Sequence, residues 1–466
     1  MPEEWNIALL FPIHKKGSKL RCENYRGISL LNVTYKLFTK ILTRRIEPYA
    51  GQAIGDYQSG FRRNRSTSDH IFMIRTILEK CHEYGVPVHQ LYIDFKQAYD
   101  SIDRKYLYET LDSLAIPKKM IRLVKMTLEQ SACKVKVQNE LSAKFLVNRG
   151  LRQGDSLSCI LFNLVLERVI RNIDVRMGTL AHYTRGRGSQ QTGTIYNQQV
   201  QYMAYADDVA LIGKTAKSVT RCYEQLEKAA LPAGLKVNVG KTKYMVLAPT
   251  PQNTNNLIVH GNDFERVKSF KYLGSRLTEE SDTLSEIRER ISHGNRCLYS
   301  LMKTIRSRTL SRNIRERIYR SVIRPVVMYG SESWVLTKRG EQALDAWERK
   351  VLRKIYGPIQ VNGEWRIRYN AELYSIYSNS KLSVEVRRGR LRWAGHLERM
   401  PENRAVKQIM NRKPDGRRKQ GRPRKRWSEE VENDLAQLQV RRWKQLAKDR
   451  AEWTKVVDKA RALTEL

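Results

Sequence analysis

Tyr202-Met203-Ala204-Tyr205-Ala206-Asp207-Asp208-Val209-Ala210-Leu211-Ile212 places two adjacent acids in the middle of an apolar run. Residues 201–212 therefore read as two short strands around a tight turn, with the acid pair at its tip. Carboxylates side by side between apolar strands raise each other's pKa, and the arrangement is costly unless cations neutralise it. A bare Asp-Asp pair is more often a plain acidic turn, so its surroundings decide. Upstream, Leu91-Tyr92-Ile93-Asp94 reads as a strand ending on a third acid. Between these segments, Leu157, Ile160, Leu161, Leu164 and Val165 share one helical face, with Asp155 or Ser156 placed to cap it. Residues 88–280 thus mix short strands with helices, and the polar insert at 185–191 reads as a mobile loop.

The 466 residues are enough for about three domains. Lys and Arg number 86 against 48 Asp and Glu, a formal net charge of +38. A surplus that large repels itself in a compact chain and points to a polyanionic partner, nucleic acid. The six cysteines are scattered with no C-x-x-C pair, which argues against a zinc knuckle or a disulfide framework and implies a reduced compartment. The most apolar run, 157–170, is too short to span a bilayer and carries Glu167 and Arg168. Met1-Pro2-Glu3-Glu4 does not open like a signal peptide, so no membrane partner is expected.

On either side of this centre the pattern is mainly helical. Val33, Leu37, Phe38, Ile41, Leu42 and Ile46 recur at helical spacing. From about residue 281, one helix is marked by Leu284, Ile287, Ile291, Leu298, Leu301 and Ile305. A second has Ile314, Ile318 and Val322 before Pro325, and a third has Leu344, Trp347, Val351 and Ile355. After about residue 360 the chain is basic, and residues 412–426 hold nine Lys/Arg against the single acid Asp415.

Taken together, the segments resemble the reverse transcriptases of non-LTR retrotransposons. Tyr205-Ala206-Asp207-Asp208 looks like motif C of that family and Asp94-Phe95-Lys96-Gln97-Ala98-Tyr99 like motif A. Arg149-Gly150-Leu151-Arg152-Gln153-Gly154-Asp155-Ser156 looks like motif B. Gly234-Leu235-Lys236-Val237-Asn238 with Lys241-Thr242-Lys243 is similar to motif D, and Phe270-Lys271-Tyr272-Leu273-Gly274 to motif E, the primer grip. Upstream, Pro12-Ile13-His14-Lys15-Lys16-Gly17, Asn24-Tyr25-Arg26-Gly27-Ile28-Ser29 and Gln58-Ser59-Gly60-Phe61-Arg62 resemble the fingers motifs of the same branch. These eight segments stand in the family's order over residues 12–274.

The resemblance implies an α+β right-hand polymerase: fingers over 1–87, a palm with an antiparallel sheet over 88–280, a helical thumb over 281–360, and a basic C-terminal extension over 361–466. It implies RNA-directed DNA polymerisation on an RNA template, with a DNA primer and dNTPs as substrates. Asp94, Asp207 and Asp208, helped by the Phe95 carbonyl, are the expected ligands of two Mg²⁺ or Mn²⁺ ions. Such ions take hard oxygen ligands and serve the two-metal scheme of nucleotidyl transfer. Tyr99 is expected beneath the incoming sugar, where a ring excludes a 2′-hydroxyl by shape. Gln153 and Gly154 are expected at the nucleotide and template, the glycine for close backbone approach. Lys16 and Arg26 are expected at the triphosphate. Lys241 is the expected proton donor to pyrophosphate, with Lys243 similarly placed near a strand. Tyr272, Leu273 and Gly274 form the expected primer grip.

Residues 281–466 resemble the C-terminal region of RTE-type elements, notably Gly389-Arg390-Leu391-Arg392-Trp393-Ala394-Gly395-His396 and Gly421-Arg422-Pro423-Arg424-Lys425-Arg426-Trp427. The second segment also resembles an AT-hook, but a solvated tail binding phosphate without sequence preference, on double-stranded target DNA among other partners, is the stronger expectation. Relative to that clade the chain is expected to lack an upstream endonuclease. A nuclear location is expected, with ribonucleoprotein assembly in the cytoplasm. The competing readings are an RNA-dependent RNA polymerase, against which Tyr99 speaks, a group II intron maturase, and a catalytically dead or domesticated nucleic-acid-binding remnant of such an element.

Overall fold

The computed structural model describes residues 1–15, 17–173, 202–248, 255–307, 309–414, 418–421 and 424–461. The insert at 185–191, Lys16 and the Arg422-Pro423 step of the hook-like segment lie outside these residues. The chain divides into two compact units. The first comprises Met1–Thr67, Val88–Tyr244 and Asn253–Val267; the second comprises Ser68–Pro87, Met245–Gln252 and Lys268–Leu466. The segment expected as fingers, 1–87, contributes to both.

In the first unit, β1 (Ile7–His14) and β2 (Tyr25–Leu30) form an antiparallel pair in which Leu9 faces Leu30 and Ile13 faces Arg26. Helix α1 (Val33–Ala53) follows; α2 (Thr67–Tyr84) then leaves for the second unit and the chain returns as β3 (Val88–Ile93). Strand β4 (Ala132–Val137) joins β1 in parallel. Helix α3 (Ser156–Arg171) is capped by Asp155, whose carboxylate accepts from the Leu157 N–H at 3.2 Å. It is buried nearly all round, as a helix apolar on every face must be, and packs on α1.

The expected hairpin is present as β5 (Tyr202–Tyr205) and β6 (Asp208–Gly213). Helix α4 (Ala216–Ala230) packs on β6 and α3. With β3 the hairpin builds a sheet of order β5-β6-β3, in which β3 pairs with β6 in antiparallel fashion, and strand β7 (Lys243–Leu247) begins in this unit and ends in the second. The fold is thus of mixed α+β class with an antiparallel sheet at the centre of its first unit, as the sequence implied.

Helix α1 forms where expected but turns a different face inward. Tyr35, Thr39, Leu42, Ile46 and Ala50 are buried, while Val33 is 73% exposed, Leu37 57% and Ile41 54%. Two stripes on this helix satisfy helical spacing, and only the packing partner selects between them.

The second unit is mostly helical. A two-stranded hairpin, β8 (Ser269–Tyr272) and β9 (Ser275–Thr278), leads into α5 (Thr283–Ser300) and α6 (Met302–Arg306). The single helix expected from Leu284 to Ile305 is thus broken at Leu301. The next helix also differs from its sequence reading. Helix α7 (Arg312–Ile318) widens into a π-turn over Tyr319–Ile323 and continues as α8 (Arg324–Met328), with Pro325 in the first turn of α8. Proline has no N–H to give to the helix, and it follows the π-turn, where Arg324 N–H reaches back to the Tyr319 carbonyl and the helical bonding changes register. The buried positions are Tyr319, Ile323 and Val327, and Ile314 and Val322 stay exposed. Helix α9 (Lys338–Tyr356) buries Leu344, Trp347, Val351 and Ile355 as expected.

Beyond residue 360 the unit continues with α10 (Leu382–Arg399), α11 (Trp427–Gln437) and α12 (Arg450–Lys459). The first C-terminal motif is built into its core, and the second enters the core through Trp427. Fully buried Arg390 donates to Asp434 at 2.6 and 3.0 Å and lies 3.3 Å from Glu430. Trp393 and Trp427 pack edge-on against Phe72 of α2 at 5.6 and 4.8 Å. Gly395 lies so close to Trp453 that a side chain there would collide with the indole. The basic segment is anchored as well. Arg404 pairs with buried Asp69 at 2.9 Å, Lys80 donates to the carbonyls of Ile409, Met410 and Arg412, and Glu83 holds Arg418 and Arg426. The described part of the expected solvated tail is therefore clamped along α2 by acids that the sequence spread over a single helix. Among the described residues no helix is long and apolar enough to cross a membrane.

Candidate active site

Backbone register assembles the acidic centre. In the β3–β6 ladder Ile93 faces Val209, so the next step brings Asp94 level with Asp208. In the β5–β6 hairpin Tyr205 faces Asp208, which leaves Ala206 and Asp207 as a two-residue turn. Such turns favour positive φ, and Ala206 adopts +57° without being glycine. Asp94 and the adjacent pair Asp207-Asp208, distant from it in sequence, are thereby brought to one end of one sheet.

The sequence singled out the segment holding Gln58 but gave Gln58 no role in the site. This side chain, 1% exposed, accepts from the N–H of Ala206 at 2.9 Å and of Gly60 at 2.8 Å, and donates to the Ala206 carbonyl at 3.3 Å. Main-chain bonds join Ser59 N–H to the Ala204 carbonyl and Ala204 N–H to the Tyr57 carbonyl, each at 2.9 Å. A Cβ on Gly60 would strike the Ala206 nitrogen, so only glycine lets the strand lie this close. The strained turn is thus held from beneath by a buried amide. The sequence signal was a polar Gln-Ser-Gly run with no apolar periodicity of its own.

Electrostatics mark the centre as a place for cations. Among the described residues neither Asp207 nor Asp208 has a salt-bridge partner. Burial, the charge of Asp207 and that of Asp94 push the Asp208 carboxyl up to about 6. Because Asp208 is exposed on the surface, we attribute the larger share to the two neighbouring charges. Burial and Asp94 raise Asp207 as well, while Arg26 acts to lower it. Arg26 and Lys15 exert the same pull on Asp100, so the end of β2 is basic toward the acidic centre.

Asp94 is fixed by its backbone: its N–H reaches Thr242 Oγ1 at 3.3 Å and its carbonyl accepts from Asn238 at 2.7 Å. One carboxylate oxygen, Oδ2, is buried without a hydrogen bond, and among the described residues its charge partner is Lys241 Nζ at 3.5 Å. Lys243, the rival of Lys241, is engaged instead by Glu265 at 2.6 Å and the Gly240 carbonyl at 2.8 Å. Phe95 is buried and bridges Val237, but the fastening bonds use the carbonyls of Asp94 and Lys236, so the Phe95 carbonyl stays out of the bridge.

The orphaned Asp94 oxygen, two carboxylates without salt bridges and an uncommitted carbonyl form a donor set that fits hard divalent ions. As the side chains stand, no three His, Cys, Asp or Glu among the described residues enclose a metal position, so the fit rests on donor chemistry and charge.

The remaining expected residues divide. The Tyr99 ring stacks on Phe162 at 4.6 Å, and its hydroxyl lies by Cys159 without a well-formed hydrogen bond. Burial raises the Tyr99 pKa, with Cys159 and Asp207 adding to the shift, which sets the ring beside the acidic centre. Gln153 donates to Asp100 at 3.0 and 3.2 Å, and its carbonyl accepts from Ser29 N–H. Gly154 has φ +113°, and a Cβ there would sit 2.8 Å from the Ser29 carbonyl, so its close approach is to β2 of its own chain. Lys16 is outside the described residues.

Tyr272, Leu273 and Gly274 belong to the second unit. Leu273 and Gly274 form the β8–β9 turn with φ +46° and +82°. The Tyr329 hydroxyl donates to the Leu273 carbonyl at 2.8 Å, Arg290 donates to the Gly274 carbonyl, and Tyr272 meets His70 at 3.1 Å.

Comparison with known proteins agrees with this geometry. The chain is 26% identical over 289 residues to the Transposon TX1 uncharacterized 149 kDa protein of Xenopus laevis, covering 61% of this chain and 21% of that one. It is 24% identical over 287 residues to the Retrovirus-related Pol polyprotein from type-2 retrotransposable element R2DM of Drosophila melanogaster, covering 60% and 26%. It thus spans about a fifth to a quarter of these relatives. A solved telomerase from Candida tropicalis in complex with a telomeric RNA fragment aligns at a TM-score of 0.43 and 12% identity, over 87% of this chain and 64% of that one, too slight a likeness to add to the fold. The profile of the reverse transcriptase (RNA-dependent DNA polymerase) family matches residues 13–277, more than half the chain and the whole of the acidic centre, and the chain belongs to that family.

Proposed function

We propose that the chain is the RNA-directed DNA polymerase of a non-LTR retrotransposon, extending a DNA 3′ end with dNTPs on an RNA template. The supporting observation is the strand register that brings Asp94 level with Asp208, with Asp207 in the adjoining turn and no salt bridge to the pair among the described residues. Asp94, Asp207, Asp208 and the Phe95 carbonyl would hold two Mg²⁺ or Mn²⁺ ions, which when bound activate the primer hydroxyl and stabilise the leaving pyrophosphate.

The protein's own residues orient the reactants and handle charge. Tyr99 lies under the incoming sugar and rejects a 2′-hydroxyl. Arg26 and Lys16 draw the triphosphate to the acidic end of the sheet, and Gln153 and Gly154 seat the nucleotide against the template. The primer oxygen bonds to the α-phosphorus as the bond to pyrophosphate breaks. The hydroxyl proton passes to water, and Lys241, released from Asp94, supplies one to the departing pyrophosphate. Positioning and charge neutralisation provide most of the rate. Residues 1–87 act as fingers, 88–280 as palm, 281–360 as thumb with the Tyr272–Gly274 turn gripping the primer, and 361–466 as a nucleic-acid-binding extension in a nuclear protein.

Primer extension on poly(rA) with oligo(dT) tests the reading. Incorporation by the wild type that Asp207→Ala abolishes is expected; activity persisting in Asp207→Ala would overturn the site, and an inactive wild type would favour a binding remnant.

A further inference from the structure

The helical second unit contains a cavity of about 670 Å³ that the polymerase reading does not use. It is lined by Arg320, Arg324, Lys381, Arg388, Arg392 and Arg461, and among the described residues its lining acid is Glu385 alone. Buried Arg388 is committed to Glu385 and to Asp458, the latter at 3.0 Å. Arg392 reaches Glu385 at 3.9 Å, and Arg461 reaches Asp458 at 4.0 Å. Those two carboxylates thus serve three arginines. Among the described residues the other three cations form no ion pair: Arg320 touches the Asn379 amide at 3.5 Å, Lys381 stands over the Tyr374 ring at 5.6 Å with Asp345 within reach of its charge, and Arg324 acts on Glu348 without contact.

Six cations around one concavity repel one another, and the charges of Arg388 and Arg324 act on Arg392 in that sense. Elsewhere in this unit buried basic groups meet acids, as Arg390 meets Asp434 and Arg404 meets Asp69. A lined hollow left with six cations against one acid calls for an external anion. Guanidinium forks match phosphate oxygens in pairs, and the volume is that of a small-ligand site.

We infer that this cavity is a phosphate-binding subsite that seats the backbone of a nucleic-acid strand, with Arg320, Arg324 and Lys381 as its free cations. It deepens the reading of the thumb, which holds Arg320 and Arg324, and of residues 361–466, which hold Lys381, as nucleic-acid-binding, and rests on that reading. It differs from a diffuse basic surface because its effect is local to named side chains.

The test uses the full chain and fluorescence anisotropy with labelled single-stranded RNA and, separately, duplex DNA across a salt series. Arg324→Gln/Lys381→Gln is compared with Lys118→Gln/Lys119→Gln, which removes the same charge from an exposed site in the first unit. Arg320→Gln/Arg392→Gln serves as a second pocket variant should the first melt below the wild type. Each phosphate that loses its cation lowers the slope of log K against log salt by about 0.7 on single strands and about 0.9 on duplex. The pocket variants are therefore expected to lose about tenfold in affinity at 0.1 M salt and between about one and two units of slope, with the control within about threefold. The strand whose binding weakens identifies the occupant. Equal losses in pocket and control variants, or no loss in either pocket variant, overturn the subsite. Extension of a short template-primer at saturating concentration is measured alongside: failure of the wild type there defeats the polymerase reading, whereas normal extension with unaltered binding defeats only the pocket.

Discussion

Replacing Gln58 with alanine tests whether the acidic turn is held in position from below. The amide satisfies three backbone groups, the N–H of Ala206, the N–H of Gly60 and the carbonyl of Ala206, in a buried setting. A buried polar group left without a partner costs about 1–3 kcal/mol. The 3.3 Å bond contributes least, and partial relaxation lowers the sum, so Gln58→Ala is expected to lose roughly 2–5 kcal/mol of stability in urea denaturation. The turn itself stores strain, since a non-glycine residue at positive φ costs roughly 1–2 kcal/mol. Without its clamp Ala206 has reason to relax, carrying Asp207 and Asp208 with it. A displacement near 1 Å at reacting groups costs about a hundredfold. Single-nucleotide extension at a temperature where the variant stays folded should show kcat down ten- to a hundredfold, with KM for dNTP within about threefold. Adding Ala206→Gly, which removes the strain, should recover about 1 kcal/mol of stability but not the rate. A destabilised Gln58→Ala with wild-type kcat, or a loss carried wholly by KM, refutes the positioning argument.

Other outcomes can be stated more briefly. The folded Asp208 carboxyl keeps its proton up to about pH 6, whereas its ordinary value is 3.8, so between those values the folded state binds more protons and gains stability as pH falls. Without divalent ions, Asp208→Asn should therefore melt above the wild type at pH 8. That gap should close as pH falls from about 6 toward 4, and Mg²⁺ should raise the wild-type melting temperature more than the variant's; a pH-independent gap in differential scanning fluorimetry contradicts the charge account. Tyr99→Ala should raise rNTP use relative to dNTP at least tenfold in competitive extension, and unchanged discrimination would remove Tyr99 from the sugar. Arg390→Met leaves Asp434 buried without its bonded cation, while Glu430 keeps Lys425, and should cost about 3–5 kcal/mol by urea denaturation. A cost below about 1 kcal/mol would mean that water reaches the acids.

The acidic centre was legible because its logic is local. Strand period, the two-residue turn and the Asp94 strand end each follow from a few adjacent residues, and antiparallel pairing does the rest. Helix α3 and its Asp155 cap were readable for the same reason. What escaped depends on partners distant in sequence. On α1 two stripes at helical spacing compete, and packing chooses the one through Tyr35 and Leu42. The break at Leu301 and the π-turn before Pro325 are set by tertiary fit rather than by propensity. Gln58 looked like part of a loop because its function is to satisfy backbone groups almost 150 positions away, which no window of sequence can reveal. The basic C-terminal run looked like a free tail because Asp69, Glu79 and Glu83, the acids that clamp it, lie more than 300 residues earlier.

That clamp bears on any attempt to pare the chain down. Stopping translation after residue 280, where the family's motifs end, would strip α2 of Trp393, Trp427, Arg404 and Arg426 together. It would leave Phe72 bare and strand three acids, one of which, Glu79, already holds its proton up to about pH 7 through burial. A shortened polymerase of that kind should be sought in inclusion bodies, and its insolubility would report a missing folding partner rather than a missing activity.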